Sequence, residues 1–354
     1  MKKTQLILAA AALVVFASCT NDNYTPNGKV DNEIGFNAVT RLATRANNAI
    51  ITGSEYGKDN TFNVWGWQSE KGDYTDVPSA SNFMTDLTIS WTGGRDSRTE
   101  AWRNALNYYY WPFTGRIAFL AVHPSDVNAS VTASWNSTNK VPRAEIEDYT
   151  ISAANDSTDL MFANNEGARQ AEALPMVFKH ALSQIQFRVR TNDDYTLDNV
   201  VFKVDSVKIN NIDLSGDVVY AWNTELATPA MDITWTDNAA QTQVWDYFKT
   251  TQVVNYAATD AAADLYGRAH VMIPQAANVL ALPDDDVQTT LTVGYTMKQK
   301  DYAAISGTVT VAAPQAWEAG KRYLYTLNFR LNEILFNPSV TEWVDVAVET
   351  INIL

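Results

Sequence analysis

The chain carries one cysteine, Cys19, and three histidines, His123, His180 and His270. A lone thiol excludes an internal disulfide and a thiolate metal cluster. The histidines are widely spaced, with no HxxxH or HExxH pattern, so no zinc site is written locally. Asp284-Asp285-Asp286 gathers carboxylates that suit a hard cation, but the DxDxDG spacing of a calcium loop is missing and the run reads as a solvated turn. No GxSxG or phosphate-loop pattern occurs. His180 shares its parity with Leu182 on an apparent strand and reads as a hydrogen-bonded structural residue. Paired carboxylates of the glycosidase kind converge only in space and leave no trace in sequence. These residues point to a chain that is not an enzyme and needs no metal or cofactor.

The chemistry that is left belongs to modification and cutting. Lys2 and Lys3 precede a 12-residue apolar run, Leu6 to Ala17, too short to span a bilayer comfortably and of the length of a signal-peptide core. Phe16-Ala17-Ser18-Cys19 then resembles a bacterial lipobox, with Phe16 in place of the commoner leucine. Residues 1–18 read as a lipoprotein-type signal peptide and Cys19 as the acylated terminus, whose lipid anchors the chain in the periplasm or on the outer surface of a bacterial envelope. Thr20 to Asn32 is a polar tether with Pro26 and Gly28. Next comes Glu33 to Arg45, EIGFNAVTRLATR. Ile34, Phe36, Ala38 and Leu42 fall on one parity, and Glu33, Asn37, Arg41 and Arg45 on the other. That alternation predicts a strand buried on one face, with the second set in water. Its arginines, Arg41 and Arg45, are places where a trypsin-like protease could cut. A core strand that can be cut away leaves a groove for another strand. The same residues also fit an ordinary first strand.

The elements that would surround this strand follow from composition. Hydrophobic residues make up 46% of 354 residues and charged residues 19%, enough apolar surface for real cores. Aromatic and β-branched residues favour strands, and abundant Asn and Asp favour turns. The net charge of −14, with no basic face, argues against nucleic acid as a partner.

Thr61 to Trp67, Leu87 to Trp91, Ile117 to Val122 and Ile185 to Val189 read as strands. Ile185, Phe187 and Val189 share one face; Gln184, Gln186, Arg188 and Arg190 share the other. Val201 to Leu214, Thr289 to Met297, Ile305 to Val311 and the run after Lys321 add further strands, with Thr289–Met297 and Ile305–Val311 as a pair. Asn107 to Pro112 is densely aromatic, core by default and a sugar platform as the sharper alternative. Ala144 to Ala173, acidic and weakly patterned, reads as loop with short helical pieces. The domain junction follows it, giving β-sandwiches over residues 46–172 and 173–354. In the tail WVDVAVETINIL, Val344, Val346 and Val348 share a face. The apolar parity then slips to Ile351 and Ile353, as at a bend or bulge.

In order and spacing these pieces resemble the fimbrillin or Mfa-like proteins of Bacteroidales. The matching stretches are the lipobox, TRLATRA, FNVWGW, YYYWPF, FLAVHP, DLMFA, PMVFKHALSQIQFRV, IPQ, WEAGKRYLYTL and the tail with Trp343. The resemblance implies an all-β chain of two tandem β-sandwiches of transthyretin-like, fimbrillin type. It implies a pilus subunit that travels as an outer-membrane lipoprotein, loses residues 19–45 to an Arg-specific protease that cuts between Arg45 and Ala46, with Arg41 as second choice, and supports adhesion from fimbriae at the cell surface. Its partners would be other pilin subunits. Residues 343–354 would be the donor strand, or else the last core strand of their own subunit. The alternative is an uncut surface lipoprotein or tip subunit that binds glycan or host protein.

Overall fold

The computed structural model describes residues 32–40, 56–93, 100–127, 129–154, 156–197, 199–237, 243–275, 289–312, 316–330 and 334–342. Apolar runs without alternation mark strands covered on both sides. The two strongest, FNVWGW and IAFLAV, form such strands at the middle of the first half. In chain order this half contains β1 (Phe36–Thr40), β2 (Phe62–Ser69), β3 (Met84–Trp91), β4 (Trp102–Asn104), β5 (Arg116–His123), β6 (Val131–Asn136), β7 (Val141–Thr150), β8 (Met161–Gly167) and β9 (Leu174–His180). The second half contains β10 (Ser183–Arg190), β11 (Val200–Ile212), β12 (Ser215–Asn223), β13 (Ala230–Asp237), β14 (Gln243–Phe248), β15 (Gln252–Val254), β16 (Asp264–Met272), β17 (Thr290–Gln299), β18 (Ile305–Ala312), β19 (Lys321–Phe329) and β20 (Ile334–Glu342). Among the described residues the one helical piece is a 3-10 turn, Asp260–Ala262. The chain is all-β, as its composition suggests.

Seven strands close into a barrel in the order β1-β4-β3-β2-β5-β8-β9. The sequence led us to expect two open sheets here; instead β1 joins the ends. Three inward residues of β2 and β5, Phe62, Val64 and Phe119, meet Phe36 and Ala38 of β1 in one buried cluster. The opposite faces of the same two strands, with Trp65, Trp67 and Leu120, belong to a second cluster that runs on into the other half. β9, whose residues were expected to open the second half, is the barrel's closing wall.

The second half has two sheets, β16-β10-β19-β20 and β14-β11-β17-β18, with β15 added to β11. They face each other across Phe187, Tyr247, Tyr325 and Phe329: Phe187 lies 4.6 Å from Tyr247 and 5.4 Å from Tyr325, centroid to centroid. β17 and β18 pair throughout, as their alternation predicts. A fourth sheet, β13-β12-β7-β6, is shared between halves. It replaces the expected loop with helical pieces. Ala144 and Ile146 of β7 are fully buried, and the intervening Glu145 and Glu147 disguised the strand as an acidic loop. β10 is covered on both faces, against the one-sided reading: Gln184, Gln186 and Arg190 are buried with the apolar set. Arg190 donates to the Ala257 carbonyl at 2.8 Å and lies 2.7 Å from Asp260. Arg322 donates to Gln186 at 2.6 Å.

Phe36 is fully buried and makes edge contacts with Phe62 and Phe119. Phe36→Ala should lower the unfolding free energy of the full chain by about 3–5 kcal/mol, the usual cost of emptying a core phenylalanine site. Urea denaturation followed by tryptophan fluorescence measures it; a loss below 1 kcal/mol, in the range of an exposed site, would mean that β1 does not close the barrel.

Candidate functional site

The site is the slot that β1 occupies. Ile34, Phe36, Ala38 and Thr40 are all buried, and Asn37 is exposed. This is the alternation read from sequence, ending at Thr40 in the described residues. Each buried apolar side chain contributes roughly 1.5–3 kcal/mol. The walls differ. β9 runs parallel to β1 over the whole strand, Phe36 to Thr40 against Leu174 to Phe178. β4 runs antiparallel and meets it at Phe36 and Trp102. Upstream, residues 32–34 pair with the aromatic run: the Ile34 amide donates to the Tyr109 carbonyl at 2.7 Å, and Trp111 donates to Asn32 at 2.9 Å. The Leu174 amide donates to the Gly35 carbonyl at 2.8 Å.

Glu33 corrects the sequence reading. Its parity assigned it to water, yet its side chain is 2% exposed and lies 3.5 Å from the guanidinium of Arg103, itself 6% exposed. Arg103 sits on β4 and turns towards the strand start. Nothing in the spacing of Glu33 and Arg103 pairs them; only barrel closure does. Removing one partner of a buried ion pair costs about 3–5 kcal/mol.

The other titratable groups hold joints. The Asp159 carboxylate binds His180 Nδ1, which bears out the structural reading of that histidine. Tyr56 Oη lies 2.6 Å from His123 Nδ1, and burial pushes the His123 imidazole below its usual value. Asp156 ties the loop between β7 and β8 to β16. Its carboxylate binds Arg268 at 2.5 Å and His270 Nδ1 at 2.9 Å, and its carbonyl accepts the Val271 amide at 2.7 Å. Burial pushes the His270 imidazole down to about 4; Asp156 pulls against this and Arg268 adds to it. Among the described residues, no group of three His, Cys, Asp or Glu could hold a metal ion.

The motifs read from sequence converge on a second joint. The Ala181 amide, in HALSQI, donates to Leu160 of DLMFA at 2.7 Å. The Gly320 amide, in WEAGKRYLYTL, donates to Leu182 at 2.9 Å, and Ser183 Oγ donates to Glu318 at 2.8 Å. Gly320 has φ +70°, which glycine alone adopts freely. Gln275 of IPQ exchanges two backbone hydrogen bonds with Trp317, each 3.0 Å.

Cys19, Arg45 and Ala46 lie outside the described residues, as do Leu42, Asp284–Asp286 and the tail residues Val344, Val346, Val348, Ile351 and Ile353. Of the aromatic run, Trp111 is buried in the barrel core, while Tyr108 and Tyr110 are about half exposed, with rings 6.4 Å apart and 8° from parallel. Among the described residues no helix is long and apolar enough to cross a membrane.

A barrel closed by one early strand, a two-sheet second half and a fourth sheet shared between them make up an all-β architecture. The fimbrillin-like family matches residues 44–343, so the chain belongs to that family. No curated protein sequence matches it. Among solved structures it is similar in fold to a fimbrial protein from Bacteroides vulgatus, at 20% identity and TM-score 0.54 over 88% of this chain and 100% of that one. It also matches candidate cell adhesion proteins from Bacteroides uniformis, at 16% identity, TM-score 0.46 and 88% and 99% coverage, and from Bacteroides ovatus, at 15% identity, TM-score 0.47 and 90% and 100% coverage.

The depressed His270 gives a pH prediction. Neutral in the folded state, it favours folding fully above about pH 6.5, and that contribution is lost as pH falls towards 4. Urea midpoints taken from pH 7 to 4 should drop more for the native chain than for His270→Gln, by on the order of 1–3 kcal/mol. Equal drops would show that His270 is not the group responsible.

Proposed function

We propose that this chain is a pilus subunit, made as a lipoprotein through Cys19 and polymerised by strand exchange once a protease cuts between Arg45 and Ala46. The observation that supports it best is the placement of β1. A strand that alone joins two barrel walls, and whose inward side chains all lie in the barrel core, leaves an apolar slot with unpaired backbone on both sides when removed. Such a slot binds an extended strand by augmentation. Membership of the fimbrillin-like family adds assembly with other pilin subunits and a place at the cell surface. The tail after Trp343, with Val344, Val346, Val348, Ile351 and Ile353, is the donor in this reading, the outer-membrane lipid holds the subunit before cutting, and an Arg-specific protease matures it. The chemistry required is covalent only at Cys19 and at the cut, so the subunit itself needs no catalytic group.

N-terminal sequencing of polymer sheared from cells should begin at Ala46. Arg41→Ala with Arg45→Ala, or deletion of residues 344–354, should abolish SDS-resistant ladders while leaving the monomer folded by circular dichroism. Ladders surviving the tail deletion would remove the tail from the mechanism; a lipidated Cys19 terminus in every polymer would remove the cut.

One observation favours a second reading, an uncut tip or surface lipoprotein that holds glycan. Tyr108 and Tyr110 present parallel, half-exposed rings, with Leu106 and Phe113 largely exposed nearby in the same β4–β5 connection. In this reading, glycan-array binding of the uncut protein should fall roughly tenfold or more with Tyr108→Ala plus Tyr110→Ala, since stacking on each ring is worth on the order of 1 kcal/mol. An unchanged array would end it.

A further inference from the structure

Resting on the glycan reading above for the ligand and on the proposed cut for the trigger, we infer that residues 32–34 hold the Tyr108–Tyr110 platform in shape. The subunit then binds glycan while its first strand is attached and loses that site when the strand is cut away. The geometry of the rings is the first observation. Along residues 108–111 exposure alternates: Tyr108 and Tyr110 face out, Tyr109 is half-buried and Trp111 is buried. That is the pattern of an extended segment with one face inward. Two residues of extended chain rise about 6.4–6.8 Å, and the two outward rings lie 6.4 Å apart and 8° from parallel. Their spacing and shared orientation are those of an extended backbone.

The second observation is what keeps that backbone extended. The Ile34 amide donates to the Tyr109 carbonyl at 2.7 Å, and the Trp111 amide donates to the Asn32 carbonyl at 2.9 Å. Between these bonds Glu33 stands opposite Tyr110 in an antiparallel bridge. Among the described residues these are the only backbone hydrogen bonds of residues 109–111, and none of the seven barrel strands includes them. Upstream, Asn104 Oδ1 accepts the Leu106 and Asn107 amides at 3.2 and 2.7 Å, which makes a turn. Downstream, Pro112 has no amide to give.

Two ring contacts to residues of the barrel also touch this segment: Tyr109 with Phe83, 6.1 Å between centroids, and Trp111 with Phe119, 5.9 Å. They fix the inward pair. The outward pair takes its spacing from the backbone, and that backbone is pinned by the piece of chain that the cut releases. Departure of residues up to 45 removes Asn32 and Ile34 together, so both hydrogen bonds go at once. The coupling is reciprocal: a glycan that needs the extended segment also favours the attached strand and slows its release.

The test uses the full chain with one specific protease site inserted after Arg45. It is read by hydrogen exchange with mass spectrometry and on a printed oligosaccharide array. After cutting, with loss of the segment confirmed by mass, exchange of the Trp111 amide should rise roughly tenfold or more. Amides of β17 and β18 should keep their rates, showing that the rest of the chain stays folded. Ile34→Pro in the uncut chain deletes the amide that binds Tyr109 and should raise the same exchange roughly threefold or more. Ile34→Ala, which trims the side chain but keeps the amide, should raise it less. Array binding should fall roughly tenfold or more in the cut chain, as on removal of both rings. Unchanged exchange at Trp111 after cutting, or array binding kept by the cut chain, would overturn the inference and leave the glycan reading standing. An array left blank by the native uncut chain would overturn the glycan reading, and this regulation with it.

Discussion

A closed barrel has no edges, and here that condition hangs on five residues of β1. With β1 in place, β4 and β9 each pair on both sides, and Phe36 fills the gap between Phe62 and Phe119. Without it both walls present bare peptide groups flanking an apolar trough. Backbone polar groups left unpaired in a dry trough are costly. Each further feature of the barrel is arranged around this closure, including the ion pair that fastens the strand's leading end.

The remainder of the molecule is built to keep that trough rigid. β2 and β5 have one face in the barrel and the other in the second core. The β9–β10 turn is held from three directions, by Leu160, by Gly320 and by Trp235 Nε1, which donates to the Ala181 carbonyl at 2.7 Å. Asp156 binds β16 from the first half. The motifs that resemble the fimbrillin-like family are concentrated at these fastenings. They mark the fastenings that hold the second core and the barrel wall together around β1.

Local patterns exposed much of this. The period-two strand around Phe36, the pairing of β17 with β18 and the inward face of Ile185, Phe187 and Val189 are each written within a few residues. What escaped is non-local. Glu145, between Ala144 and Ile146, concealed β7, which pairs with its neighbour β6 on one side and with β12, far along the chain, on the other. The parallel β1–β9 pairing joins segments that share no turn, so neither the barrel nor the burial of Glu33 follows from local periodicity. Gln186 and Arg190 fall on the face opposite the apolar set, where polar residues usually meet water; the segment around Ala257 and Asp260 covers Arg190 instead.

The unlike walls of the β1 slot carry one more implication. One flank is parallel and the other antiparallel, so a strand threaded backwards would make a different hydrogen-bonding pattern on each wall. Any contact made through the slot therefore has a head and a tail. It joins two different patches, not one patch to its twin, and repetition of such a contact propagates in a single direction as an open fibre with distinguishable ends.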